Sequence, residues 1–304
     1  MICVLSAHRS VANSMKIGVI SKSSEFWTTS EIFNALRKKH TQPVYLRTPE
    51  IHLTLDDEKV DAVYEKRSLS SLDAVIPRIG RSLTQVGVML LRQMELMRIP
   101  STLSMQGLLI ARNKYLTLQA LHAAGVKIPA SVLIASRNKA GETLDYISPP
   151  IVMKLLSGTQ GIGVMLVRDA NEAGPIIDTL SELQQVICLQ KYLPNPAEDI
   201  RVFVTGGQVV GAMKRKAAPH EWRSNIHIGG YGVPHRLSEM ETETALRAAK
   251  AVGVEIAGVD MISVSNEPYV IEVNASPGFR GLLHATGINA AEKIAEYAMA
   301  KAKS

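Results

Sequence analysis

Ala257-Gly258-Val259-Asp260-Met261-Ile262-Ser263-Val264 is followed, across Ser265-Asn266-Glu267, by Pro268-Tyr269-Val270-Ile271-Glu272-Val273-Asn274. Two β-branched, apolar runs around a short polar break predict paired strands, Ile256–Val264 and Pro268–Asn274. The first strand carries a single acid, Asp260, and the second carries Glu272 and Asn274 two positions apart, hence on one face. With Ser265–Glu267 as a three-residue loop, Asp260 falls opposite Glu272. Facing acids repel unless a cation accompanies them. Two carboxylates and an amide oxygen on one patch of sheet suit a hard ion such as Mg²⁺. The competing account is a solvent-facing polar side, and the apolar residues flanking both faces argue against it. A two-residue turn would move Asp260 to the other face, so the register is the test.

Upstream, Met153-Lys154-Leu155-Leu156-Ser157-Gly158-Thr159-Gln160-Gly161-Ile162-Gly163-Val164 sets a lysine near the end of an apolar strand, ahead of a glycine-rich loop and a second strand. A lysine in such surroundings calls for an anion, and glycines let backbone N–H groups close on phosphate oxygens. The lysine precedes the glycines and no Gly-Lys-Ser/Thr is present, so this is no Walker loop. A strand follows, so it is no dinucleotide fingerprint either. A glycine-rich hairpin with a snorkelling lysine remains open. Lys114, in Ala111-Arg112-Asn113-Lys114, begins a predicted helix and taken alone reads as a surface residue.

Further out, strands at Lys16–Ile20, Pro43–Leu46 and Asp73–Pro77 alternate with helices at Thr28–Lys39 and Thr84–Met97, an α/β pattern. Ser30 or Thr29 is the expected cap of the first helix. A helix over Asn113–Ala124 ends at Gly125. From Ala130 strands prevail: Ile151–Leu156, Val164–Val167, Val186–Gln190, then Ile200–Thr205 and Gln208–Met213 joined through Gly206-Gly207, a hairpin signal. Helices are expected over Asn171–Leu183, Ser238–Val252 and Asn289–Lys301. Ser136–Gly141 is a polar connection and Pro194-Asn195-Pro196 a turn. The chain divides into an N-terminal α/β part and a largely antiparallel α+β part.

At 304 residues, with 46% hydrophobic and 20% charged, the composition fits two or three packed units. Cys3 and Cys188 are too few for a disulfide framework and form no zinc pattern, which points to a reducing, cytoplasmic setting. No apolar run reaches the ~20 residues of a membrane span, and residues 1–14 read as an extension rather than a signal peptide. Of the formal charge of +6, a net +5 lies between Arg201 and Arg236, from Arg201, Lys214, Arg215, Lys216, Arg223 and Arg236 against Glu221. Such a window seeks an anionic partner: nucleic acid, for which aromatics are scarce, or phosphates and acidic substrates. His220, His227 and His235 read as loop or surface residues.

Taken together these segments resemble the RimK-type ATP-grasp ligases, known for the glutamate ligase acting on ribosomal protein S6. The resemblance runs from Met15 onward through Ile76-Pro77-Arg78-Ile79-Gly80, Ala111-Arg112-Asn113-Lys114, Lys154 to Gly163, Asp199-Ile200-Arg201, Arg223-Ser224-Asn225, Ala257-Gly258-Val259-Asp260 and Glu272-Val273-Asn274-Ala275-Ser276-Pro277-Gly278. It implies an ATP-grasp fold, α/β and α+β: an N-terminal extension (1–14), a Rossmann-like pre-ATP-grasp domain (15–104), a central subdomain (105–185) and a C-terminal subdomain (186–304). It implies that Lys114, Lys154 and the loop glycines Gly158, Gly161 and Gly163 meet nucleotide phosphates. Lys191, Tyr192 and Leu193 match the hinge that meets adenine through backbone groups, and Asp199 the ribose-side acid. Arg223, Ser224 and Asn225 match a loop touching phosphate and substrate. Asp260, Glu272 and Asn274 match ligands of Mg²⁺ or Mn²⁺, two ions per site. Lys191 departs from the pattern, since S6 ligases usually carry Glu there.

The implied chemistry is attack of an acceptor carboxylate on the γ-phosphate of ATP, then displacement of phosphate from the acyl phosphate by the amino group of an amino acid, L-glutamate by family precedent. Lys154 and Arg223, with Asn225 and Arg201, would offset the developing charge; Arg201 reads equally as an exposed strand arginine. Arg215 and Arg280 are candidate recognisers of substrate carboxylate or else members of a solvated face. The expected partner is an acidic acceptor, with ribosomal protein S6 the model case, and the expected assembly a homo-oligomer, dimer or tetramer, away from membranes. Two alternatives stand beside it: the same ligation onto a small coenzyme or an amino-group-carrier protein, and a non-catalytic, nucleotide-responsive RNA- or ribosome-binding protein.

Overall fold

A computed structural model of the chain describes residues 14–135, 140–156, 163–194, 197–219, 221–222 and 229–304. β1 (Lys16–Ser21) leads through α1 (Trp27–Lys38) to β2 (Gln42–Arg47). A small antiparallel sheet follows, β3 (His52–Leu55), β4 (Val60–Tyr64) and β5 (Arg67–Ser68), before β6 (Ala74–Arg78) and α2 (Thr84–Leu96). β1, β2 and β6 form a parallel sheet of order β2-β1-β6. The period-two pattern of β1 sends Ile17 and Val19 to α1, and Ile20 to the α2 side with Leu90 and Met94. The cap expected at Ser30 or Thr29 is not used: the N-cap is Phe26, without a side-chain bond. Thr29 instead turns inward, its hydroxyl 3.0 Å from that of Ser21, and the Ser30 hydroxyl donates to the Ser24 carbonyl.

α3 (Met105–Arg112) and α4 (Lys114–Ala123) precede a second sheet made of β7 (Ser131–Ile134), β8 (Ile151–Leu155), β9 (Val164–Val167) and β10 (Ile187–Lys191). Its order is β7-β10-β8-β9, antiparallel throughout, with α5 (Ala140–Leu144) and α6 (Ala170–Glu182) packed on it. α4 ends at Gly125 in the left-handed region, φ +69°, as expected of a C′ glycine. The central sheet therefore runs to Lys191, beyond the boundary drawn at 185.

The third sheet has order β13-β12-β11-β14-β15. It is built from β11 (Glu198–Thr205), β12 (Gln208–Lys216), β13 (Tyr231–Pro234), β14 (Ile256–Val264) and β15 (Glu267–Asn274), with α7 (Glu239–Val252) between β13 and β14. Gly206 and Gly207, at φ +58° and +74°, make the two-residue turn of the β11–β12 hairpin. Val202, Val259, Met261, Val270 and Val273 bury one face under α7, α3 and α4. The helices at 105–123 thus pack on this sheet. α8 (Arg280–Thr286) follows β15, and α9 (Ala291–Lys301) returns to pack on α1, so Ile294 and Ala298 share a core with Ile17 and Ile32. No described helix is long and apolar enough to cross a membrane.

Candidate active site

Three of the four sheets, all but β3-β4-β5, open onto one cavity of about 1080 Å³. Its walls carry Lys114 from the start of α4, Lys154 from β8, Lys191, Tyr192 and Leu193 from the end of β10, Asp199 and Arg201 from β11, Arg215 from β12, Asp260 from β14, Glu272 and Asn274 from β15, and Arg280. Sequence positions more than 150 apart therefore meet in one space. Gly163, at φ +74°, closes the β8–β9 connection by accepting from the Leu155 N–H at 2.9 Å. Gly158, Gly161, Arg223, Ser224 and Asn225, together with His220, His227 and Asn195-Pro196, lie outside the described residues.

Asp260 does lie opposite Glu272, though not for the reason the loop length suggested. The β14–β15 turn has two residues, Ser265 and Asn266, at φ +52° and +66°, with Val264 paired to Glu267. A regular ladder from that turn would set Asp260 against Ile271. Instead the register shifts by one between Asp260 and Met261: Met261 pairs with Val270, Asp260 with Glu272 and Gly258 with Asn274. Ile271 is the extra residue of a β-bulge. The bulge keeps Val270 and Val273 in the core and turns Glu272 and Asn274 to the cavity.

Asp260 is 2% exposed and held by two guanidiniums. Arg201 grips both of its oxygens, with Nη2 to Oδ2 at 2.7 Å, and Arg215 Nη2 stands 3.0 Å from Oδ2. Arg215 also chelates Asp199, with both bonds 2.6 Å. Burial alone would raise the Asp260 pKa; the two arginines outweigh it and hold the carboxyl below the usual range. Arg215 is likewise pinned in its charged form by Asp260 and Asp199 against the cost of burial. Arg215, expected as a recogniser of substrate carboxylate, and Asp199, expected beside ribose, are thus tied to each other. Lys214 pairs with Glu198 at 2.7 Å. Three of the six cations in the basic window are therefore neutralised by acids of their own sheet.

Glu272, by contrast, has no ion pair within the described residues, and its carboxylate acts on Lys154, Lys114 and Arg112 across the cavity. Burial pushes the Lys154 pKa down, with Glu272 the main opposing influence. Lys114 is lowered in the same way, and Asn113 caps its helix, accepting from the Tyr115 and Leu116 N–H groups at 3.0 and 3.1 Å. Asp260, Glu272 and Asn274 fit a hard divalent cation by donor type. The Asn274 amide nitrogen is buried with no acceptor, and turning the amide over presents an oxygen from the same place. No cluster of three His, Cys, Asp or Glu exists among the described residues; the third candidate donor is an amide.

At the hinge, the Lys191 and Tyr192 N–H groups already donate to the Ala130 and Pro150 carbonyls at 2.8 and 3.1 Å. Lys191 Nζ turns to the Ser148 carbonyl at 2.9 Å. His235 sits 3.1 Å from the Glu241 carboxylate at the start of α7, a structural contact. Cys188, fully buried opposite Lys154, lines the same space, and burial raises its thiol pKa.

Sequence reasoning did not single out Arg78 and Arg112 as candidate site residues, although both line the cavity. The expected strand stopped at Pro77, one residue short. The available signal was an arginine within the otherwise apolar Ala74-Val75-Ile76-Pro77-Arg78-Ile79.

Residues 15–108 match the RimK PreATP-grasp domain and residues 111–298 the RimK-like ATP-grasp domain. A Pseudomonas fluorescens protein named probable alpha-L-glutamate ligase is 37% identical over 285 residues, 93% of this chain and 95% of that one. The ATP-grasp ligase PsnB, solved with a minimal precursor, Mg and ADP, superposes with a TM-score of 0.74 at 18% identity, covering 95% of this chain and 98% of that one. The D-alanine–D-alanine ligase of Bacillus anthracis, solved with ATP, gives 0.69 at 22% identity, covering 95% and 98%.

Proposed function

Because the chain belongs to the RimK-like ATP-grasp family, and is thereby an ADP-forming carboxylate–amine ligase, we propose that it adds L-glutamate to an acidic acceptor. The observation that carries this reading is the bulge-set pairing of Asp260 with Glu272, facing Lys154 across the cavity. The glutamate donor is supported by the names of relatives about 37% identical over most of the chain, and a protein C terminus is the acceptor we favour.

Asp260, Glu272 and Asn274 would hold Mg²⁺, two ions in the full site, and the ions would supply positive charge to offset that of the phosphoryl group. Lys154 and Lys114 reach the nucleotide phosphates from β8 and α4, and the family resemblance assigns Gly158, Gly161 and Gly163 to the same phosphates. Tyr192 and Leu193 border the base, with Lys191 anchoring that segment to the Ser148 carbonyl. Arg223, Ser224 and Asn225 are assigned, on the family resemblance alone, to the phosphate and the incoming substrate. Arg201 orients Asp260 and, with Arg223, offsets charge as the acceptor carboxylate becomes an acyl phosphate and the amine displaces phosphate. Arg215 and Asp199 act one step back, holding Asp260 in place.

ADP release with Mg²⁺, ATP and glutamate against candidate acceptors, followed by product mass, tests the reading. A gain in glutamate increments on a protein tail is expected. Asp260→Asn and Glu272→Ala should each lower turnover at least about a hundredfold, on the scale of single electrostatic groups in active sites. Wild-type turnover in both would remove the metal assignment.

A further inference from the structure

β6 ends on Arg78, where the N-terminal sheet changes direction. From β1 the chain passes to β2 on one side and returns to β6 on the other, so the carboxyl ends of β1 and β6 flank the topological switch point. Open parallel sheets bind ligands in that crevice. Ser21 and Arg78, the last residues of the two strands, are paired there and both line the cavity.

Arg78 is 9% exposed. A guanidinium offers five N–H donors, yet within the described residues this one makes a single hydrogen bond, to the Pro277 carbonyl at 2.7 Å, and no ion pair. Burial, with the neighbouring Arg112 adding to it, pushes the Arg78 pKa down to about 10. Arg112 donates to the Ile79 carbonyl, and its own Nε is buried without a partner. Arg201 and Arg215, deep in the same cavity, are each matched by carboxylates. Glu272 acts on Arg112 only across the cavity and is shared with Lys154 and Lys114, so two neighbouring buried guanidiniums with no carboxylate in contact among the described residues are unfavourable unless an anion arrives with the ligand.

We propose that Arg78 and Arg112 form an anion subsite for a substrate carboxylate, on the wall of the cavity supplied by the N-terminal sheet and α3, in addition to the lysine pair assigned to phosphates. The inference rests on the ligase reading above, which brings two carboxylate-bearing substrates into this space. A planar fork matches a carboxylate through two parallel bonds, and the switch-point crevice directs that fork into the cavity. The carboxylate belongs either to the acceptor or to the amino acid.

Calorimetric titration of the full chain in the presence of Mg²⁺ and ADP, with L-glutamate and with a tri-glutamate peptide as separate probes, tests the subsite. Arg78→Gln should weaken a carboxylate probe about tenfold or more, the scale of a charge-assisted bond, while ADP affinity stays within about twofold. Loss confined to the peptide assigns the subsite to the acceptor, and loss confined to L-glutamate assigns it to the amino acid. Arg112→Gln, at a half-buried position, should give the same loss and carries the test if Arg78→Gln lacks a native melting transition. A purely structural tie to Pro277 would lower the melting temperature without separating carboxylate from ADP affinity, and that result overturns the proposal. So does unchanged binding of both probes in the variants, or a wild type that binds ADP and neither probe. In those cases the ligase reading stands; a wild type that binds no Mg²⁺–ADP strikes the ligase reading instead.

Discussion

Lys154 shows how a single side chain can be held ready for a ligand. It stands on β8 opposite buried Cys188, where burial lowers its pKa and Glu272 only partly restores it. Phosphate binding needs the ammonium form, so affinity is full below the free protein's Lys154 pKa and falls as pH rises through it. That fall should begin below the ordinary lysine value of about 10.4. Lys154→Met should weaken Mg²⁺–ADP about tenfold or more by calorimetry, as loss of a charged hydrogen bond does. Lys154→Arg should bind with an alkaline limb shifted upward; an unshifted limb would show that another group titrates. Arg201 and Arg215 illustrate the opposite case. Each meets its carboxylate within the chain, so half of the cations of residues 201–236 serve internal pairing, not a surface for anions.

The α7 entrance carries a prediction at the scale of one element. The Ser238 hydroxyl accepts from the Glu241 N–H at 3.1 Å and the Glu241 carboxylate accepts from the Ser238 N–H at 2.8 Å, a capping box. His235 and the Ser263 hydroxyl also reach that carboxylate, tying the helix to β13 and β14. Burial would raise the Glu241 pKa, and these hydrogen bonds pull it below the ordinary value instead. A depressed folded-state carboxyl adds stability above its unfolded pKa, about 4.3, and loses it as pH falls through the folded value. Ser238→Ala should cost about 1 kcal/mol, read as a lower denaturation midpoint at pH 7. Glu241→Gln should flatten the decline in melting temperature between about pH 5 and 3. An unchanged acid profile would mean that other carboxyls dominate it.

At the scale of the whole molecule, the cavity exists only where three sheets meet, so a ligand filling it binds the folded assembly and not the unfolded chain. At a hundredfold excess over its dissociation constant such a ligand adds about 2.7 kcal/mol. For a chain of this size that is a rise in melting temperature of about 4 °C. Magnesium with a non-hydrolysable ATP analogue should produce it, and EDTA should remove most of it. An equal rise with EDTA present would separate nucleotide binding from Asp260, Glu272 and Asn274. α9 belongs to this scale too: the last helix closes the first sheet's core, so trimming the C terminus should loosen the N-terminal unit.

The sequence by itself determined most strands and helices, because periodicity and turn chemistry act over a few residues. It also supplied the chemical types at the site: lysine before a glycine loop, and two acids with an amide on neighbouring strands. The pairing of Asp260 with Glu272 was anticipated from a three-residue loop, whereas a two-residue turn and a bulge at Ile271 produce it. That bulge is a compromise among packed strands and has no local signature in Val270-Ile271-Glu272. The partners of Arg201 and Arg78 lie 59 and 199 positions away along the chain. Which arginine is neutralised and which is left facing the cavity was therefore decided by sheet pairing and packing, where distance in sequence ceases to measure distance in space.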